Sequence, residues 1–253
     1  MIDRMTIDTV IFDMDGTLAE TEEVHRQAFN RAFVDFGLDW SWDVPLYRQL
    51  LKVTGGKERI THFITLEGGA ADPEFVARLH KAKTDIYTAL VDGGAVPLRP
   101  GIREFIDAAR ARGLTLAIAT TTSMPNIDAL LTSALGAQWR EIFPVVGAGD
   151  MVKKKKPAPD VYELALRELG KPPEQCVAIE DSRNGLEAAI AAGLRCFVTV
   201  NGYTEKEDFS EAILVVSSLG DPDGEQTKVM ANRSTARPGA YVTLADLEAC
   251  LAP

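Results

Sequence analysis

The chain has 253 residues, 46% hydrophobic and 25% charged, with a formal net charge of −10. An isoelectric point near 4.9 argues against a nucleic-acid or anionic-membrane surface, and no long uninterrupted apolar stretch suits a membrane span. Cys176, Cys196 and Cys250 are few and widely spaced, and read as reduced, packed thiols in a cytosol, not as a disulfide framework or a zinc site.

The chain enters a strand, "TVIFD" (9–13), within ten residues, which leaves no room for a signal peptide; a cytoplasmic monomer is expected. A helical pattern runs from about Thr21 to Phe36, with Val24, Ala28, Ala32 and Phe33 on one face and Gly37 as a stop. "ERITHFITL" (58–66) and "PEFVARLHKAKTDIYTALV" (73–91) continue it without a convincing strand, so 21–91 reads as a small all-helical insert. After the Gly/Pro-rich connection "DGGAVPLRPG" (92–101) comes a helix with Ile102, Phe105, Ile106 and Ala109 in register. Strands are then expected in "LTLAIATT", "EIFPVVGAG", "QCVAIED" and "RCFVTV", alternating with helices in "PDVYELALREL" and "NGLEAAIAAG". That alternation of near-continuous apolar strands with helices implies an α/β fold whose parallel sheet is covered on both faces. Residues 220–240, polar and rich in turn formers, read as a long surface loop before a last helix in "LADLEACL".

In an open α/β sheet, ligands bind beyond the carboxyl ends of the strands. Those ends carry, in turn, Asp13 and Asp15; Thr120, Thr121 and Thr122; Lys156; and Glu180, Asp181 and Ser182. Clustered carboxylates of this kind need a hard cation, and Mg²⁺ prefers a few oxygen ligands plus water and phosphate. Asp13 is placed to attack phosphorus as a carboxylate nucleophile, giving an aspartyl-phosphate, and Asp15 to give and take the proton. Thr120 and nearby backbone N–H groups suit the phosphate oxygens, and Lys156 their charge. The repulsion between Asp13 and Asp15 is expected to help keep Asp15 protonated while Mg²⁺ holds Asp13 ionised. Each piece alone has a plainer reading. Asp-x-Asp-Gly is often a turn, though an EF-hand loop is excluded because its twelfth position is Val24. Thr-rich and Glu-Asp-Ser strand ends are often helix caps, and Lys153, Lys154 and Lys155 read as a solvated face. Four such signals in order, each at a strand end, make coincidence a poor explanation.

"DMDGT" (13–17), Thr120 in "ATTTS", Lys156 in "KKPAPD" and "EDS" (180–182) resemble the haloacid dehalogenase superfamily of phosphatases. The resemblance implies a Rossmann-like core from 1–20 and 92–253, with 21–91 as a cap that closes over the site, hinged at Thr21 and 92–101. It implies Asp13 as nucleophile, Asp15 as acid and base, and Mg²⁺ held by Asp13, the Asp15 carbonyl and Asp181, with Glu180 assisting directly or through water. A narrower resemblance, in "DGTLAETEEVHRQAF", "VTGGKERI", "IEDSRNGLEAA" and "YTEKEDF", is to the CbbY-like branch, whose members act on xylulose 1,5-bisphosphate, an inhibitory by-product of Rubisco. A bisphosphate needs positive charge in the cap, which Lys57 and Arg59 supply; Thr121, Glu22 and His25 complete the expected substrate set. The alternatives are a sugar phosphomutase acting on β-glucose 1-phosphate, which His25 also suits, and a phosphatase for another small ester such as 2-phosphoglycolate. A dehalogenase does not require the second acid, and a binding protein has no need to keep Asp13, Asp15, Lys156 and Asp181 together.

Overall fold

A central strand whose side chains alternate between two apolar layers sets the architecture. The computed structural model describes residues 7–94 and 96–251; positions 1–6 and 252–253 of the expected core, and residue 95 of the connection, lie outside the described residues. In β1 (Thr9–Phe12), Val10 and Phe12 join one apolar layer and Ile11 the other. Four helices follow: α1 (Glu22–Asp35), α2 (Val44–Leu50), α3 (Gly56–Leu66) and α4 (Pro73–Asp92). They share an apolar cluster of their own around Phe29, Phe33, Trp42, Tyr47, Ile60, Phe63 and Leu79. The start of α4 is well specified, because Asp72 accepts from the Glu74 and Phe75 N–H groups and Pro73 needs no partner in the first turn.

The chain then runs through α5 (Ile102–Ala111), β2 (Thr115–Ala119), α6 (Met124–Leu135), α7 (Trp139–Ile142), β3 (Val145–Gly147), α8 (Asp160–Leu169), β4 (Cys176–Glu180), α9 (Arg183–Ala191), β5 (Arg195–Thr199), β6 (Leu214–Val216), β7 (Val229–Asn232) and α10 (Leu244–Leu251). The sheet order is β3-β2-β1-β4-β5-β6-β7, parallel except for β7. β1 pairs with β2 on one side and β4 on the other, so the order reverses at β1, where ligands of such sheets bind. One apolar layer includes residues of α5, α6 and α10, and the other residues of α8 and α9. No helix among the described residues is long and apolar enough to cross a membrane, and all three cysteines are buried and unpaired.

Two expectations need correction. Residues 220–240 are not all loop, because Val229–Asn232 pairs antiparallel with β6 as an edge strand. That strand is mostly exposed, so no alternation of apolar and polar residues marks it. "EIFPVVGAG" is a strand only over Val145–Gly147, since Glu141 and Ile142 close α7. α2, α6 and β6 form in segments for which the sequence pattern predicts no separate element.

Phe12 is fully buried and meets Phe105 and Phe143 edge-to-face, with ring centroids 6.1 Å away in each case. Phe12→Ala is expected to cost about 3–5 kcal/mol of unfolding free energy, read from urea denaturation. A loss below about 1 kcal/mol would remove that cluster as the anchor of the strand preceding Asp13.

Candidate active site

Asp13 leaves β1 at the sheet's carboxyl end, its N–H donating to Ile179 O at 2.9 Å and so continuing the pairing with β4. The next turn depends on Gly16, at φ +82°, a conformation side chains rarely adopt. A Cβ there would also lie 2.3 Å from Asp181 Oδ2 and 2.7 Å from Asn201 Nδ2. The glycine thus makes the turn and lets the loop bearing Asp13 and Asp15 approach Asp181.

Lys156 reaches into this corner from the loop after β3. Its Nζ donates to Asp13 Oδ1 and Glu180 Oε1, both at 2.6 Å, and to Ala119 O at 2.8 Å. Burial works against its charge, but Asp13 and Glu180 outweigh that and raise its pKa. Glu180 is fully buried; Oε1 also accepts from Tyr162 OH at 2.6 Å, and Gly185 leaves the room its carboxylate fills. Asp181 Oδ2 accepts from Asn201 Nδ2 at 2.7 Å. Asp13, Glu180 and Asp181 can each offer an oxygen within 4.8 Å of the others. Three buried carboxyl groups against one ammonium form an oxygen-rich, cation-deficient corner, which fits a hard divalent ion such as Mg²⁺. Burial, with Asp13 and Glu180 beside it, raises the Asp181 pKa. Glu180 thus ties Lys156 and Tyr162 together within the corner.

The Asp15 carboxyl turns away from that corner. Its Oδ1 accepts from Thr21 Oγ1 at 2.6 Å and lies 3.1 Å from His25 Nε2. With its hydroxyl committed to Asp15, Thr21 provides no side-chain cap for α1. The other ring nitrogen of His25 lies 2.6 Å from Lys83 Nζ, and the ring stacks on Tyr87 at a centroid distance of 4.1 Å. A lysine donating to Nδ1 leaves the imidazole proton on Nε2, facing Asp15. Burial and then the Lys83 charge lower the His25 pKa, while burial pushes Lys83 itself down to about 7.

The protein's own groups favour the charge on Asp15 over that on Asp13, so the Asp15 half of the expected pairing is reversed, while the Asp13 half rests on Mg²⁺. Burial, aided by Glu180 and Asp15, pushes the Asp13 carboxyl well above the ordinary carboxylate range despite Lys156. Burial would also raise Asp15, but His25, Thr21 and Lys83 outweigh it and hold Asp15 below the ordinary carboxylate range. The spacing of the two acids shows their repulsion but not the donors that α1 and α4 bring to Asp15.

Beyond these groups lies a cleft of about 560 Å³ between α1, α3 and α4 on one side and the loops after β2 and β3 on the other. Asp15, Glu22, His25, Lys57, Arg59 and Thr121 line it. A smaller recess of about 80 Å³ takes in Asp13, Thr120, Lys156 and Asp181, and again Asp15, Glu22, Arg59 and Thr121. Thr120 is buried, and its Oγ1 accepts from the Thr122 N–H at 3.3 Å. Lys57 is exposed, whereas Arg59 is buried, donating to Leu50 O and Tyr47 OH at 3.2 Å each. Glu22 accepts from Tyr47 OH at 3.0 Å. Lys153 and Lys154 are exposed, as a solvated face requires, while Lys155 is half-buried and donates to Gly149 O; Lys153 and Lys155 also line the larger cleft.

Sequence reasoning missed Lys83, Tyr162, Asn201 and the buried Arg99. Lys83 had a readable signal: it stands four residues from both Leu79 and Tyr87, inside the stripe α4 buries. Asn201 and Arg99 had none, since their partners lie far off in the chain.

A model of the haloacid dehalogenase-like hydrolases matches residues 7–193. The protein CbbY of Cereibacter sphaeroides is 52% identical over 218 residues, 86% of this chain and 95% of that one. A crystal structure of CbbY from Rhodobacter sphaeroides in complex with phosphate matches with a TM-score of 0.81 at 52% identity, over 84% of this chain and 95% of its own. A mutant of the same protein in complex with xylulose-(1,5)bisphosphate matches with a TM-score of 0.82 at 51% identity, over 86% and 98%. The motifs at the strand ends, the sheet order and these likenesses agree: the chain belongs to the haloacid dehalogenase-like hydrolases, in their CbbY-like branch, and is a phosphatase.

Proposed function

We propose that the chain hydrolyses a phosphate ester of a sugar bisphosphate, with xylulose 1,5-bisphosphate as the preferred substrate, through an aspartyl-phosphate on Asp13. The observation that carries the chemistry is the buried corner of Asp13, Lys156, Glu180 and Asp181 opening onto a cleft large enough for a phosphorylated sugar. The substrate is supported by the 51% identical CbbY mutant in complex with xylulose-(1,5)bisphosphate and by Lys57 and Arg59 along the cleft.

An Asp13 carboxylate oxygen attacks phosphorus while Asp15, which must first take up a proton against the pull of His25, Thr21 and Lys83, gives that proton to the departing sugar oxygen. In the second half, Asp15 takes a proton from the water that attacks the aspartyl-phosphate; its contacts with Thr21 and His25 favour the charged form that this needs. Lys156 and Thr120 hold the phosphoryl oxygens, and Glu180 and Tyr162 hold Lys156. Mg²⁺ on Asp13, Asp181 and the Asp15 carbonyl would keep Asp13 ionised and offset the charge on the phosphoryl group. Segment 21–91 serves as a cap that excludes water, hinged at Thr21 and 92–101, with Lys57 and Arg59 meeting the second phosphate and Glu22 and Thr121 the substrate.

Asp13→Asn should lower kcat at least about a thousandfold with the melting temperature retained; substantial residual turnover would take the nucleophile role from Asp13. In a Mg²⁺-containing panel of xylulose 1,5-bisphosphate, ribulose 1,5-bisphosphate, 2-phosphoglycolate and hexose phosphates, kcat/KM should be highest for the first. No such preference would discard the substrate and leave the chemistry standing, and an isomerised sugar phosphate in place of free phosphate would favour the mutase. Lys57→Ala should raise KM for the bisphosphate about tenfold at nearly unchanged kcat. The buried Lys83 gives a signed pH effect. From about pH 7, where it loses its proton in the fold, up to its ordinary 10.5, the unfolded chain holds the extra proton, so Lys83 makes stability rise with pH. Lys83→Met should flatten that rise in urea titrations, and an unchanged slope would mean that Lys83 is not the group responsible.

A further inference from the structure

Arg99 is buried where the chain returns from the helices to the sheet, far in sequence from everything it binds. Its N–H donates to Leu18 O at 2.8 Å, beside a bridge between Ala19 and Leu98, so the outgoing and returning segments lie side by side. The guanidinium then crosses to the sheet. Nη1 donates to Gly16 O at 2.5 Å, to Thr199 O at 3.0 Å and to Thr199 Oγ1 at 2.9 Å. Nη2 donates to Val200 O at 2.5 Å and Ser217 O at 2.8 Å, and Nε lies 2.7 Å from Glu20 Oε1.

Two of these acceptors flank Asp181. Gly16 is the residue whose missing Cβ lets the catalytic loop close on the Asp181 carboxylate, and Val200 precedes Asn201, whose amide holds the same carboxylate. One planar, permanently charged fork therefore grips the backbone on both sides of Asp181 without touching it. Lysine, with one nitrogen and no fixed plane, cannot span this set of acceptors. We propose that Arg99 is a positioning residue for the cation site, fixing the Asp13–Gly16 loop and the Asn201 amide at the separation that Asp13 and Asp181 need to share one divalent ion. The inference rests on the reading of those two residues as cation ligands. Partners of metal ligands are worth roughly tenfold to a hundredfold in affinity, and Arg99 acts one step further out on two of them at once.

The test is calorimetric titration of MgCl₂ into the full chain and its variants, without substrate, beside steady-state kinetics on a sugar phosphate. Arg99→Lys should bind Mg²⁺ roughly tenfold or more weakly, with kcat recovering as Mg²⁺ is raised and KM for the sugar phosphate staying within about twofold. A residue that only stabilises the fold would lower the melting temperature and leave Mg²⁺ affinity in place, so a folded Arg99→Lys binding Mg²⁺ within about twofold of wild type overturns the proposal. Should Arg99→Lys fail to fold, Thr199→Val decides, because it removes one acceptor and spares the guanidinium. A several-fold weaker Mg²⁺ affinity in that variant supports the proposal, and an unchanged affinity overturns it. Wild-type chain that binds no Mg²⁺ would bring down the cation reading itself and this inference with it, an outcome distinct from tight wild-type binding matched by the variants.

Discussion

The site depends on one buried ammonium among too many carboxyl groups. Lys156 binds Asp13 and Glu180 at 2.6 Å each, in a corner that also holds Asp181. A single positive charge satisfies at most part of that set, and each unpaired buried carboxylate carries a desolvation cost of several kcal/mol. The surrounding framework keeps the groups together nonetheless, through strand pairing on both sides of β1, the Gly16 and Gly185 gaps, and the Tyr162 and Asn201 contacts. The stored repulsion leaves the corner short of positive charge, as a site for a small divalent ion would be.

Much of this was legible in the sequence, and the reason is local. Asp13, Thr120, Lys156 and Asp181 each follow an apolar run that folds as a strand or leads out of one, so a linear pattern sufficed to place them on one edge. The alternating strands and helices likewise announced a parallel sheet. What stayed hidden depends on distant partners or on weak patterning. The exposed strand β7 carries no alternation, and β6 is only three residues long. Arg99 looks like an ordinary connection residue until Gly16, Thr199 and Val200 are seen around it. The charge on Asp15 could not be read from its spacing to Asp13, because the deciding contacts come from His25 and, behind it, Lys83, fifty-eight residues further on.

Composition also gave a partial answer about partners. A net charge of −10 describes the whole surface, yet the cleft gathers Lys57, Arg59, Lys81, Lys83, Lys153 and Lys155 against fewer acids. Local arrangement, not the sum, sets the field an anionic ligand meets inside a low-dielectric recess. The two facts are compatible, because an acidic exterior discourages polyanions while the cleft still favours a small one.

The hydrogen bonds from Thr21 and His25 to Asp15 bear on how enzymes of this architecture diversify. Thr21 and His25 open the first helix after β1, and Lys83 comes from the fourth. Replacing that helical segment wholesale, by recombination or by design, would exchange the substrate-facing wall and at the same stroke strip Asp15 of the groups that set its proton affinity. One wall of the cleft and the proton affinity of Asp15 are therefore inherited as one unit here. A grafted segment without its own hydroxyl and imidazole at that oxygen would leave the buried Asp15 with a raised proton affinity.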